Sequence, residues 1–139
     1  MADTKVDWNK ERVLLIVKNA TQKGINAVAA DVEGQTKINI QSNGQIDTGF
    51  MLNSTYMHTP NASTYAQAKA AAENANPDAQ MHAQVPLPQN AAPVAAVAVA
   101  AEYAIFQETT NSFLYRALEQ EAAKGAATLA RVAREEMHD

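Results

Sequence analysis

Two apolar stripes with helical spacing, one near each end of the chain, constrain the fold more than any other feature of the sequence. In both stripes the side chains recur at steps of three and four residues, the period of one face of an α-helix. The first stripe consists of Leu14, Val17, Thr21, Ile25, Val28 and Val32. The second consists of Leu114, Leu118, Ala122, Gly125, Leu129 and Val132. We therefore predict long helices over residues 7–41 and 112–136, with the small residues 122–126 allowing a close helix crossing.

The limits of the first helix follow from local signals. Asp7 is a suitable N-cap residue, and Ile38 extends the apolar stripe. Asn43-Gly44 is a typical stop for a helix. Gly24 interrupts the helix interior, at a cost of about 1 kcal/mol relative to alanine.

Between the two helices, short alternating stretches are bounded by proline and turn residues. They predict strands near residues 53–58, 80–85 and 94–100, followed by a short helix over 101–108. The order of elements indicates an α+β protein with one domain over residues 1–139. Its parts are a long N-terminal helix, a small antiparallel sheet with an extended loop, and a long C-terminal helix.

The loop over residues 60–79 is polar, rich in alanine and poor in large apolar side chains. Its stretch from Ala66 to Ala75 is either a loosely held helix or a mobile excursion. Because ordering the backbone costs roughly 1–2 kcal/mol per residue, we expect the loop to be mobile in a free monomer. The same stretch would then become helical on assembly with a neighbour.

Composition narrows the function further. Alanine accounts for 29 of the 139 residues, while aromatic residues make only 6%. Small side chains bury little area, at roughly 25 cal/mol per Å², so we expect burial to be completed against copies or partners. The net charge of −4 leaves no basic surface for many phosphate contacts. The absence of cysteine excludes disulfides, thiolate zinc sites and thiol catalysis.

The stretch over residues 46–52 contains Asp47-Thr48-Gly49, which are also the letters of the aspartic-protease motif. Such proteases need two facing carboxylates that share a proton, and this chain supplies one such motif. A tight turn explains the letters better, because Asp47 and Thr48 can cap backbone N–H groups and Gly49 tolerates a positive φ. We predict a structural corner here.

Few other residues suggest a catalytic or metal-binding site. His58 and His82 could lie on neighbouring strands, but no carboxylate on those strands supplies a third metal ligand. We expect a protein that is not an enzyme and uses no cofactor or metal. The N-terminus has no signal-peptide pattern and no apolar run is long enough for a membrane span, so synthesis in a cytoplasm without membrane association is expected.

Three stretches in order resemble the neck, or head–tail joining, proteins of long-tailed bacteriophages, a family with tail-completion and minor tail relatives. They are Ile46-Asp-Thr-Gly-Phe-Met-Leu-Asn-Ser54, Ala101-Glu-Tyr-Ala-Ile-Phe-Gln-Glu-Thr109 and Asn111-Ser-Phe-Leu-Tyr-Arg-Ala-Leu-Glu119. The family pattern runs from a long helix through D-T-G-x-L-x-x-S and E-Y-A to P-F-L-x-P-A-L, which opens the last helix. Ser112 stands where the family has the first proline of that last motif.

The resemblance implies a structural virion protein at the head–tail interface. Six copies would form a ring in the connector, between portal-side connector proteins and the tail tube or tail terminator proteins. Genomic DNA would pass through the lumen without sequence-specific binding, and an acidic wall would not trap it. Two alternatives stay open: an assembly or capsid-associated protein that is not retained in the virion, and a host α+β protein that binds a ligand.

The resemblance also assigns roles to individual residues. Asp47 would be a structural cap, with Phe50 and Leu52 anchoring the corner in the core. Tyr103 and Phe106 would pack beneath that corner. The full set of structural or interaction residues is Asp47, Thr48, Gly49, Phe50, Leu52, Glu102, Tyr103, Phe106, Glu108, Phe113 and Leu114. Of these, Glu102 or Glu108 would face a loop or a neighbouring subunit.

Overall fold

The computed structural model describes residues 10–45, 49–89 and 93–138. Within them the chain forms five helices and a two-stranded sheet. The elements are α1 (Lys10–Ser42), α2 (Phe50–Asn53), β1 (Thr55–His58), α3 (Tyr65–Ala75), β2 (Ala96–Val99), α4 (Ala104–Thr110) and α5 (Leu114–His138). The α+β prediction is confirmed, because two long helices pack against each other and an antiparallel sheet lies between them in sequence.

Helices α1 and α5 run antiparallel. Asn39 near the end of α1 donates a hydrogen bond to the carbonyl oxygen of Phe113, directly before α5. At the other end of the contact, Lys23 Nζ lies 2.6 Å from a carboxylate oxygen of Glu136. Among the described elements, α1 and α5 form the largest contact.

The two helices approach each other closely at Gly24. A Cβ atom at this position would lie 2.9 Å from the carbonyl oxygen of Leu129 and 3.2 Å from its Cα. A Cβ at Gly125 would make only an ordinary contact, 3.7 Å from a Val28 methyl carbon. Gly24 is therefore more than an interruption of the helix, because its missing side chain is what permits the crossing.

Polar side chains fill much of the α1–α5 contact. Asn39 Nδ2 also donates to Gln120 Oε1 at 2.7 Å, while Gln35 Nε2 donates to Asn39 Oδ1 at 3.0 Å. Glu121 is buried and forms an ion pair with Lys124 at 3.2 Å. Among the described residues, no buried side-chain nitrogen or oxygen lacks a hydrogen-bond partner. Since unpaired buried polar groups are costly, this network makes the register of the two helices specific.

The predicted stripes contain large apolar residues that the folded chain does not bury. Leu14, Val17 and Ile38 are exposed, and so is Leu118 on α5. The fully covered positions on the two helices include Ala20, Ala29, Val32, Ile40 and Ala117. A close crossing requires small side chains at the contact, so alanine occupies positions where the periodicity alone favours leucine.

The sheet packs against α1, and α3 packs against β1. Thr55 lies opposite Val99 and His58 opposite Ala96. Two clusters of buried side chains form the core. One contains Ile40, Phe50, Met51, Ala72, Ala101, Ala104 and Phe113, and the other contains Tyr56, Ala68 and Ala100.

Of the two interpretations of the stretch from Ala66 to Ala75, the helix is confirmed, and the expectation that it forms only on assembly is wrong. Residues Tyr65–Ala75 are helical in the single chain, and Ala68 and Ala72 are buried, one in each core cluster. The ring of Tyr65 meets that of Tyr56 edge to face, with centroids 5.0 Å apart. Two alanines one turn apart are enough here, because small side chains let the helix lie close to the sheet.

The predicted strand over 80–85 is also wrong. Within the described residues this stretch forms only an isolated bridge between Met81 and Ala101. Pairing does not continue along β2, and the His82 carbonyl oxygen accepts a hydrogen bond from the Tyr65 hydroxyl at 2.7 Å instead. The rest of the stretch is held by side chains instead: the Val85 N–H donates to the Tyr56 hydroxyl at 2.8 Å, and His58 Nδ1 lies 2.9 Å from the Val85 carbonyl oxygen.

Other predicted boundaries shift by a few residues. The strand near 53–58 begins only at Thr55, because the helical turn of α2 occupies Asn53. The strand near 94–100 is limited to Ala96–Val99, because the Gln22 side-chain amide accepts from the Val94 N–H at 3.0 Å and donates to its C=O at 2.8 Å. Helices predicted over 101–108 and 112–136 lie at 104–110 and 114–138. Asp7 lies outside the described residues.

Gly24→Ala should lower the free energy of unfolding by about 1–3 kcal/mol, as for overpacking of a core. The added methyl group would collide with the backbone of Leu129, which outweighs the helix propensity gained. Gly34→Ala is the matched control, because a Cβ there has nothing within 4 Å and should stabilise by about 0.5–1 kcal/mol. Urea denaturation followed by circular dichroism measures both values. A Gly24→Ala variant as stable as the parent would contradict the close crossing.

Candidate functional site: two exposed apolar surfaces

The N-terminal end of α1 is an uncovered apolar surface. Every residue from 11 to 19 is exposed, and Ala20 is the first buried one. Five consecutive apolar residues, Val13 to Val17, are 36–58% exposed. With 3.6 residues per turn, five consecutive side chains point to all sides of the helix. We call residues 11–19 the helix end.

The helix end is nine residues long, which corresponds to about 14 Å. On one side, Ile16, Lys18 and Asn19 line a cavity together with Pro60, Asn61 and Glu136. A helix that is apolar all round is normally buried in a larger assembly or a membrane. No helix in the described residues is long and apolar enough to cross a membrane. Covering the exposed parts of these five side chains would contribute roughly 4–7 kcal/mol.

A second uncovered apolar surface lies where β2, α4 and the first turns of α5 meet. It contains two adjoining grooves of about 280 and 400 Å³, which share Glu108 and Leu114 in their walls. Three of its side chains, Ile105, Tyr115 and Leu118, are more than half exposed. We call this surface the apolar face and define it by Val97, Val99, Ile105, Leu114, Tyr115 and Leu118.

The apolar face is open because the sheet is narrow. The backbone N–H of Ala100 donates to Ser54 at 3.1 Å, so even-numbered residues of β2 point their N–H and C=O groups toward β1. Those of Val97 and Val99 consequently point to the outer edge of the sheet, where no strand pairs with them among the described residues. Beside this edge, Val97, Tyr115 and Leu118 line the larger groove.

At the predicted corner, Asp47 and Thr48 lie outside the described residues. Gly49 has φ 85°, in the left-handed region, and directly precedes α2. Phe50 is fully buried, and Leu52 is half-buried against the same core cluster. The Asn53 side-chain amide donates to the Gly49 carbonyl oxygen at 2.8 Å. The corner thus turns at a glycine and is anchored by the residue after it.

The two aromatic residues expected beneath the corner differ in their positions. The Tyr103 ring lies 6.2 Å from that of Phe50, centroid to centroid. Phe106, by contrast, is 71% exposed and does not pack beneath the corner. The reason is that α4 directs Ala104 to the core, which leaves Ile105 and Phe106 on its outer side.

Glu108 has a role that the sequence analysis missed. Its carboxylate accepts hydrogen bonds from the backbone N–H groups of Phe113, Leu114 and Tyr115 at 3.0, 2.7 and 3.3 Å. It therefore caps the start of α5, whose first N–H groups have no partner within the helix. Glu108 is thus held by its own chain, whereas Glu102 is exposed, and that Glu102 or Glu108 faces a loop or a neighbouring subunit stays a prediction. The only sequence signal is a glutamate five residues before the Phe113-Leu114 start of the helix.

The other predicted positions are divided between core and surface. Phe113 is buried in the same cluster as Phe50, whereas Leu114 is half-buried in the apolar face. Glu102 is exposed. The structure therefore brings most of the motif residues together around one core cluster, and places the start of α5 at the border between that cluster and the open face.

The histidines lie in a surface network. His58 contacts the Val85 carbonyl oxygen, and its other ring nitrogen lies 3.5 Å from Gln84 Nε2. Burial raises the pKa of the neighbouring Tyr56 hydroxyl. No group of three histidine, cysteine or acidic side chains in the described part of the chain could hold a metal ion.

Comparisons with protein-family models, with curated proteins and with solved structures found no significant match for this chain.

Glu108→Ala should lower the free energy of unfolding by about 1–2 kcal/mol, as for the loss of a helix cap. Three backbone N–H groups would lose their acceptor. Glu102→Ala removes an exposed carboxylate two residues before α4 and should change stability by less than about 0.5 kcal/mol. Thermal unfolding of both variants provides the comparison, and equal melting temperatures would show that the cap contributes nothing.

Gly49→Val should lower the free energy of unfolding by about 2 kcal/mol, because a β-branched residue resists a left-handed backbone. The new Cβ would also lie 3.2 Å from Asn53 Nδ2. Gly34→Val introduces the same side chain into open space on α1 and is the control. If the two valine variants unfold at the same denaturant concentration, the tight corner at Gly49 is not a structural requirement.

Proposed function

We propose that this protein is a structural virion protein of a tailed bacteriophage and forms a ring in the neck, or head–tail connector, that joins the tail to the DNA-filled head. The observation that carries the proposal is the order and spacing of the three motifs that resemble the neck protein family. A tail-completion or tail-terminator role belongs to the same proposal.

The core supports this reading, because the three motifs meet in it. Phe50 comes from the first motif, Ala101 and Ala104 from the second, and Phe113 from the third. They lie in one buried cluster although about 60 residues separate the first from the last. Because these motif residues pack together in the core, we interpret the three motifs as one structural unit rather than as parts of a catalytic site.

The surface supports assembly into a ring. The described part of the chain leaves two apolar surfaces open, the helix end and the apolar face, and each is of the kind that marks a protein–protein interface. A ring of six copies would cover them and would contact portal-side connector proteins on one side and the tail tube or tail terminator on the other. With a net charge of −4 per copy, the wall of such a ring would repel DNA phosphates and let the genome pass.

The two alternative functions differ from the proposed one in whether the protein is present in finished virions. An assembly or capsid-associated protein would act earlier and be missing from finished virions. A host protein that binds a ligand could use strands that carry Met57-His58 and Met81-His82 as a pocket wall, but Met81-His82 does not belong to a strand. Virion content and a deletion phenotype therefore discriminate among the three readings.

Deletion of the coding sequence should yield filled heads and complete tails that do not join, visible by electron microscopy of lysates. Purified protein added to the mixed heads and tails should restore infectious particles, and quantitative mass spectrometry should find a few copies per wild-type virion. Infectious particles of normal yield from the deletion strain would contradict the proposal. Absence from wild-type virions together with a deletion defect would favour the assembly protein.

A further inference from the structure

We propose that residues 83–89 form a strap that closes against β1 and opens as a unit while the helix pair and the sheet stay folded. Two side chains of β1, Tyr56 and His58, are the latch that keeps the strap closed. Opening the strap uncovers both of them. This inference concerns the fold of the single chain and does not depend on the proposed ring.

The strap is an exposed segment without helix or strand. Its residues are exposed except for Leu87, which is half-buried. Pro86 and Pro88 have no backbone N–H, and among the described residues no backbone–backbone hydrogen bond joins the strap to the rest of the chain. The strap thus buries little apolar surface and lacks the pairing that holds a strand in a sheet. Both properties are typical of segments that open locally.

The chain is fixed more firmly on either side of the strap. On the N-terminal side, the His82 N–H donates to the Ala100 carbonyl oxygen at 2.6 Å. On the C-terminal side, the Gln22 side-chain amide accepts from the Val94 N–H at 3.0 Å and donates to the Val94 carbonyl oxygen at 2.8 Å. The strap can therefore open without releasing these two attachments.

The latch binds both backbone groups of one strap residue. The Val85 N–H donates to the Tyr56 hydroxyl at 2.8 Å, and the Val85 carbonyl oxygen lies 2.9 Å from His58 Nδ1. Because a carbonyl oxygen only accepts hydrogen bonds, Nδ1 is the protonated ring nitrogen. His58 Nε2 is then an acceptor, and Gln84 Nε2 lies 3.5 Å from it. The Gln84 side-chain oxygen in turn accepts from the Ser63 hydroxyl. Side-chain hydrogen bonds at two neighbouring residues therefore hold the strap.

Opening the strap exposes groups that are suited to bind a polypeptide backbone. Tyr56 is 1% exposed, and its burial raises the pKa of its hydroxyl. In the closed state this hydroxyl accepts from an N–H group, while the His58 ring donates to the C=O group of the same residue. The open state consequently presents one acceptor and one donor placed for a single residue of extended backbone. The closed strap occupies both.

Hydrogen exchange measured by NMR tests the strap, because the Val85 N–H is hydrogen-bonded to the latch. In the parent protein this amide should exchange more slowly than in an unfolded chain. It should nevertheless exchange at least about 100-fold faster than the amides of the buried helix residues Val32 and Ala117, because local opening requires less free energy than global unfolding. Exchange as slow as at Val32 would overturn the proposal, since the strap would then open only with the whole fold. Exchange at the rate of an unfolded chain would also overturn it, since the strap would then not be closed.

His58→Ala tests the latch without removing the measured hydrogen bond, because His58 contacts the C=O of Val85 and not its N–H. If the strap opens as a unit, this variant should speed exchange of the Val85 amide about tenfold, with Val32 and Ala117 at their parental rates. His82→Ala is the matched control, because in the described part of the chain the hydrogen bonds of His82 use its backbone groups alone. Equal Val85 rates in the two variants would overturn the latch.

Tyr56→Phe removes the other half of the latch and keeps the aromatic ring that packs in the core. Subtilisin should cut this variant within residues 83–89 about tenfold faster than the parent, because cleavage follows the population of the open state. Tyr115→Phe removes a hydroxyl from a residue that is 64% exposed, and it should be cut at the parental rate. Mass spectrometry locates the cuts. Equal cleavage of Tyr56→Phe and the parent, or first cuts within α1 or α5, would overturn the proposal.

Discussion

The close crossing of the first and last helices is the constraint on which the rest of the structure depends. Because position 24 has no Cβ, the backbones of α1 and α5 approach each other at Leu129 more closely than most side chains would allow. The sheet then packs across α1. At the far end, Ile40 and Phe113 bring the end of one helix and the start of the other into the cluster that contains Phe50. Corner, sheet and grooves all take their positions from this pair of helices.

The sequence predicts the fold class and both long helices, because the helical spacing of apolar residues is present even where other side chains make the contact between the two helices. It does not predict which face is buried. The decisive contacts are made by Gly24, Ala117 and polar residues such as Asn39, and a search for large apolar residues passes over them. The strand over 80–85 fails for a similar reason: side chains of Tyr56 and His58 take the hydrogen bonds that a ladder would have made.

Only part of the candidate site could be predicted from the sequence. α1 has 33 residues and α5 has 25, so about 12 Å of α1 lacks a helical partner. The predicted helix lengths already contained this difference, and the apolar run at Val13 to Val17 lies in the part without a partner. The apolar face could not be found in the same way. It exists because the sheet has only two strands in the described residues, and the width of a sheet follows from tertiary packing rather than from local pattern.

Pairing the first helix with the last also determines when the molecule can form. The ion pair between Lys23 and Glu136 joins residues 113 positions apart, and contacts of such high sequence separation slow folding. During translation at roughly 5–20 residues per second, Gly24 leaves the ribosome about 5–21 seconds before Leu129, its contact on α5. For that interval the part of α1 that packs against α5 in the folded chain has no partner. The order of synthesis therefore delays the packing of the first helix until nearly the whole chain has been made.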